Sequence, residues 1–146
     1  MKAQELVERA LELLGPDRGT VLVEHSTSAN LRWANSTLTT NGLAAQQLVH
    51  VVAHPMLRGG LAAGTASADV RTPADLQALV EAARAAAQGS GPADDAAAEV
   101  PARPASADWD EPPLLTTPEE LAPVGALLGQ VLPGGDMDHF GYAEHS

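Results

Sequence analysis

Cysteine is absent from the 146 residues, which excludes disulfides, iron–sulfur clusters and thiolate zinc sites and gives no sign of a secreted, cross-linked scaffold. Aromatic residues are nearly as scarce, with Trp33, Trp109, Phe140 and Tyr142 the full complement. Hydrophobic residues make up 45% of the chain, many of them alanine, so the core is expected to be aliphatic and of ordinary size. No stretch approaches the roughly eighteen apolar residues that crossing a membrane requires. The opening MKAQELVERALELLG sets Glu5, Glu8 and Glu12 inside its apolar pattern, unlike a signal peptide. A cytoplasmic protein is expected.

Positive charge is also in short supply, and it is unevenly spread. Through residue 88 seven Lys/Arg face eight Asp/Glu; beyond it Arg103 stands alone against eleven acids, and the net charge of the whole is −11. A groove that neutralises phosphates needs clustered basic side chains. None occur, so nucleic-acid binding is not expected.

What is present falls into an orderly series. Residues 2 to 14 repeat Leu6, Val7, Ala10, Leu11 and Leu14 at helical spacing, and Gly15-Pro16 stops them. TVLVEHS (20 to 26) and ANLRWA (29 to 34) read as strands, the second placing Leu31 and Trp33 on one face and Arg32 on the other. Asn35-Ser36 suits a tight reversal, and Asn41-Gly42 carries the stronger turn chemistry. LAAQQLVHVVAH (43 to 54) follows as a long strand, PMLRGG (55 to 60) turns it, and LAAGTASAD (61 to 69) returns. A second helix is marked by Thr72 as cap, Pro73 in the first turn and Asp75 three after the cap, with Leu76, Leu79, Val80, Ala83 and Ala87 as its apolar stripe. The expected fold class is α+β: an antiparallel β-meander covered by two amphipathic helices.

Three segments are expected: an N-terminal α+β domain over 1–88, an Ala/Pro/acidic linker over 89–107, and the first elements of an incomplete C-terminal domain over 108–146. In the last, Thr117, Pro118 and Glu120 repeat the helix-start signal. Leu121, Val124, Leu127, Leu128 and Val131 supply one face, and Pro133-Gly134-Gly135 ends it. MDHFGYAEHS then looks like the beginning of a strand with nothing after it to pair with.

Groups able to carry chemistry are few. His50 and His54 suggest a metal pair, but four residues along a strand span about 13 Å, too far for one small ion. Asp136, Asp138, His139, Glu144 and His145 offer oxygen and nitrogen ligands near the C-terminus at a spacing that fits no closed motif. Glu24, His25 and Ser26 are strand neighbours pointing to alternate faces, which denies them the geometry of a nucleophile with its base. GGLAAG (59 to 64) lacks the lysine and helix of a phosphate loop, so its glycines are expected to serve tight turning and close packing. Trp33 is expected in the core, and Arg32 is a candidate contact to a ligand or partner. No catalytic, cofactor-binding or metal residue is assigned.

The stretches ELVERALELLG, LRWANSTLTTNG, RGGLAAGTASAD with the following TPADLQALVEAARAAA, and FGYAEHS together resemble the N-terminal part of the TldD/PmbA family, also described as modulators of DNA gyrase. The likeness covers most of residues 1–88 and resumes near 139–146, and it is nearest to the actinobacterial PmbA-like branch. It implies metallopeptidase-related proteolysis by two-domain proteins that form homo- or hetero-oligomers around an interior cavity and act on peptides or partly unfolded proteins. It also implies that zinc, held in the TldD-type half by an HExxxH helix and a cysteine, belongs to a C-terminal domain or partner subunit. This chain has neither HExxxH nor cysteine. Its expected role is therefore an accessory or substrate-chamber domain, the alternatives being a non-catalytic binding or dimerisation module and, third, a small hydrolase using His25 or the terminal acids.

Overall fold

The structure, a computed structural model, describes residues 1–97, 103–133 and 136–146. In chain order it runs α1 (Ala3–Leu14), β1 (Arg18–Ala34), β2 (Thr37–His54), β3 (Met56–Leu57), β4 (Gly60–Leu61), β5 (Gly64–Asp69), α2 (Pro73–Ser90), a 3-10 turn (Pro118–Leu121), α3 (Ala122–Val131) and β6 (Gly141–His145). The fold is α+β. An antiparallel sheet in the order β5-β2-β1-β6 carries the helices, and β3 with β4 makes a separate small ribbon.

β1 is one unbroken strand of 17 residues, where two strands were expected. Thr27-Ser28 holds neither glycine nor proline to interrupt it. Asn35 (φ 50°) and Ser36 (φ 56°) then make the two-residue reversal. Left-handed backbone at both central residues matches the twist of the flanking strands. Ser36 is held there from three sides: its N–H donates to His139 O (3.1 Å), its hydroxyl donates to Met137 O (3.3 Å), and His139 N–H donates back to Oγ (3.0 Å). The second expected turn does not form. Asn41-Gly42 lies inside β2, which runs 18 residues. The reversal has already been made at Asn35-Ser36, and continued pairing with β1 keeps Asn41-Gly42 extended despite its local preference.

The chain divides into two compact units, Met1–His25 with Gln47–Pro112, and Ser26–Gln46 with Pro113–Ser146. In the first, Leu6, Ala10 and Leu14 of α1 meet Val49, Val51 and Ala53 of β2 and Leu76, Leu79, Val80 and Ala83 of α2. Leu6, Leu14 and Leu76 are fully buried, each contributing roughly 1.5–3 kcal/mol by leaving water. All five residues of the expected α2 stripe are buried. Thr72 Oγ1 accepts from Asp75 N–H (3.2 Å) while the Asp75 carboxylate accepts from the N–H groups of Thr72 (2.8 Å) and Arg71 (3.1 Å). Two free amides at the helix start are thereby satisfied reciprocally. Gly64 on β5 is pressed against α2 so closely that a Cβ would fall on the backbone of Ala83 and Ala87. The other helix end is closed by α2 itself. Arg84 donates to the last carbonyls of α1, Leu13 O (2.8 Å) and Leu14 O (2.7 Å), and pairs with Asp17 (2.8 Å).

The second unit has a smaller core: Ala29, Leu31 and Leu121, with Trp33, Val124, Leu128 and Ala143 half-buried beside them. The strand expected to lack a partner finds one. β6 pairs antiparallel with β1 from Ala29↔His145 to Trp33↔Gly141. Only glycine fits at 141, because a Cβ there would enter the Trp33 indole. The apolar face expected of α3 is realised in part, since Leu127 (59%) and Val131 (42%) are exposed. The helix opens with a 3-10 turn, whose three-residue period rotates the stripe away from the 3.6-residue pattern. For the same reason Thr117 makes no capping bond to the backbone. Its side chain bonds Glu119 instead and holds that carboxyl below its ordinary value. The expected 89–107 linker and the Pro133-Gly134-Gly135 stop lie in part outside the described residues.

Arg84→Ala should lower the unfolding free energy by about 1–3 kcal/mol, the cost of stranding partly buried carbonyls and a carboxylate, measured by urea denaturation. Arg84→Lys should recover only part of it, because an ammonium cannot bridge three acceptors as a planar guanidinium does. The capping box also predicts a pH dependence. Bonds from Thr72 and Arg71 lower the Asp75 carboxyl below its ordinary 3.8. Its stabilisation is complete above that value and is lost as pH falls through the lowered folded value. The melting-temperature gap between the native protein and Asp75→Asn should therefore close as pH falls below 3.8.

Candidate functional site

In the first unit the register of β2 with β5 sets His50 opposite Ser67. The His50 Nδ1 lies 2.7 Å from Ser67 Oγ, and its Nε2, buried and without a hydrogen bond, lies 3.7 Å from the Glu24 carboxylate. A serine, an imidazole and a carboxylate thus stand in a row on the sheet face away from the helices. This places Glu24 beside His50 rather than with His25 and Ser26. The row is short of a hydrolytic site. The N–H groups of a sheet lie in its plane, so no amide pair converges above Ser67 to hold an oxyanion.

Two clefts occur in the same unit. The larger, about 720 Å3, lies between the end of α1, the first residues of β1, the end of β2 and the segments 61–63 and 93–97. Leu11, Leu14 and Leu61 give it apolar walls, and Asp17, Thr20, His54 and Asp95 give it polar ones. Its size suits a small ligand, but Asp17 is already committed to Arg84. His54 is therefore a cleft residue and His50 is not, so the two imidazoles are not brought to one ion. The smaller cleft, about 410 Å3, lies between α1, β1 and Trp109. Gln4 donates there to Trp109 O (2.8 Å) and Glu111 O (3.2 Å).

In the second unit Arg32 does face away from Trp33, and its contact is internal: the guanidinium stands 5.1 Å from the centre of the Tyr142 ring, its cross-strand neighbour. The Tyr142 hydroxyl bonds the Glu144 carboxylate, which raises the tyrosine's pKa. His145 approaches Thr116 (3.4 Å), and His139 serves through its backbone. Glu144, His145 and His139 are thus each engaged with a different partner. Among the described residues no three His, Cys, Asp or Glu side chains are grouped to hold a metal ion. GGLAAG does turn the chain at Gly59 (φ 114°) and Gly60 (φ 150°), while Gly64 serves close packing against a helix.

Ser67, Tyr142 and Arg84 are the partners that the sequence did not disclose. The first had a usable signal. Residues equidistant from Arg58-Gly59 lie opposite one another from Leu57↔Gly60 through Leu48↔Asp69, so fixing that corner assigns Ser67 to His50.

These features define an α+β protein with a helix-covered sheet and a modest cleft. No family model and no curated protein matches the sequence. Among solved structures the fold is similar to TldE from Thermococcus kodakarensis, with a TM-score of 0.53 at 14% identity. The match covers 88% of this chain and 28% of TldE. At that identity the fold is what the two share. No described helix is long and apolar enough to cross a membrane.

Hydrolysis of p-nitrophenyl acetate should be the same for the native protein and Ser67→Ala. A pre-steady-state burst that disappears with Ser67→Ala would make the row a nucleophilic site.

Proposed function

We propose that this chain is a TldD/PmbA-like N-terminal domain, of the PmbA-like branch, that helps line a substrate chamber or support an oligomer in a metallopeptidase-related protein. Residues outside this chain would supply the bond-breaking groups. The observation that carries this reading is the fold shared with TldE over 88% of the chain and 28% of that protein. The stretches LRWANSTLTTNG and RGGLAAGTASAD support it from the sequence side. Zinc would belong to another domain or subunit, and the substrates would be peptides or partly unfolded proteins in a cytoplasmic setting. The uncharged and largely exposed residues 37–46 of β2 favour a second reading, a non-catalytic binding or dimerisation module.

The test uses the purified chain with zinc and a fluorescein-labelled, permanently unfolded polypeptide such as reduced, carboxymethylated α-lactalbumin. The chamber role expects a rise in anisotropy without cleavage, and metal analysis below one zinc per chain. Cleavage, a tightly held equivalent of zinc, or the absence of any binding would overturn it.

A further inference from the structure

Within the first unit, Trp109 is pinned to a helix far from it in the chain. Gln4 of α1 donates to Trp109 O (2.8 Å) and to Glu111 O (3.2 Å), and the indole N–H donates to Glu8 Oε1 (3.4 Å). The pinned indole does not close the seam beneath it. A cleft of about 410 Å3 remains, walled by Ala3 and Val7 of α1 and by Val21, Leu22 and Val23 of β1. Consecutive strand side chains point to opposite faces, so a cleft that touches three in a row lies along the strand's edge. That edge is open. β6 pairs with β1 only from Ala29 to Trp33, and among the described residues 21–23 have a strand neighbour on the β2 side alone.

The polar groups of this cleft are one-sided. The strand edge offers backbone N–H and C=O alike, but the side chains offer acceptors alone. The Gln4 amide protons and the Trp109 N–H are already spent, which leaves the Gln4 carbonyl and the carboxylates of Asp108 and Glu8. A bond from Ser106 holds the Asp108 carboxyl below its ordinary value, so it is charged at neutral pH. Among the described residues no lysine or arginine lines the cleft or pairs with either acid. A ligand carboxylate or phosphate would therefore meet two charges of its own sign. A cation is drawn both to those carboxylates and to an indole face, and the valines accept an apolar body.

We propose that this cleft binds a small organic cation, a primary ammonium carried on an arylalkyl or alkyl body. The ammonium lies against Asp108 and Glu8, and the body fills the space between Val7, Val23 and the Trp109 indole. The inference stands on the cleft's own chemistry and does not require the chamber role.

Titration of the full chain tests it, with phenethylammonium as probe and phenylpropionate and phenylethanol as its anionic and neutral counterparts. Amide NMR shifts should saturate for the ammonium and map to residues 3–8, 21–23 and 108–109. The two counterparts should bind about tenfold or more weakly, and added salt should weaken the ammonium alone. Asp108→Asn, at an exposed position, should cost the ammonium about fivefold and leave phenylethanol unchanged. Val7→Phe, which fills the cleft, should abolish binding, with circular dichroism melts to establish that the variant folds. Asp95→Asn, in the larger cleft, should change nothing. No saturation by about 10 mM, equal or tighter binding of the carboxylate or the alcohol, or shifts centred on the larger cleft would overturn the proposal. So would binding indifferent to both Asp108→Asn and Val7→Phe.

Discussion

The reversal at Asn35-Ser36 is the constraint on which the rest of the structure depends. It places two consecutive non-glycine residues at positive φ, a conformation that L-residues adopt at a cost, and three hydrogen bonds from the 137–139 segment hold Ser36 in it. The return is a hairpin of 17- and 18-residue arms. Four elements take their places along those arms: α1 and α2 on the buried side of β2, β5 along one end of β2, and β6 along one end of β1.

Packing around the arms is uneven, and the difference bears on function. The first unit has a closed aliphatic core, with the start of α2 satisfied by the Thr72–Asp75 box and the end of α1 by Arg84. Among the described residues the second unit has three buried ones and a helix with none. A core that small contributes little stability of its own, and large apolar side chains such as Leu114, Met137 and Phe140 stand exposed beside it. The first unit holds the cleft and the Ser67–His50–Glu24 row.

What could be read in advance followed the range of the forces involved. The α2 helix was legible throughout, because its cap, its proline and its apolar stripe all act within a few residues of one another. Asn41-Gly42 misled for the same reason: its turn preference is local, while the pairing that keeps it extended comes from residues on β1. The α3 face was half right, since a 3-10 start shifts the phase in a way that the spacing of leucines does not record. Contacts between distant segments stayed hidden, among them Arg32 on Tyr142, Trp33 over Gly141, and Arg84 on the carbonyls of α1.

By itself the sequence determined an aliphatic, cysteine-free α+β chain, with two helices on a sheet, an acidic second half and no clustered basic surface. Periodicity, composition and capping are properties of neighbouring residues, and the sequence displays them directly. Only the tertiary structure decided that the last strand returns to β1, that His50 meets Ser67 rather than His54, and that, among the described residues, positions 37–46 of β2 have a strand neighbour on the β1 side alone. Those outcomes rest on strand register and close packing between segments far apart in the chain, where geometry selects one arrangement among many that local preference allows.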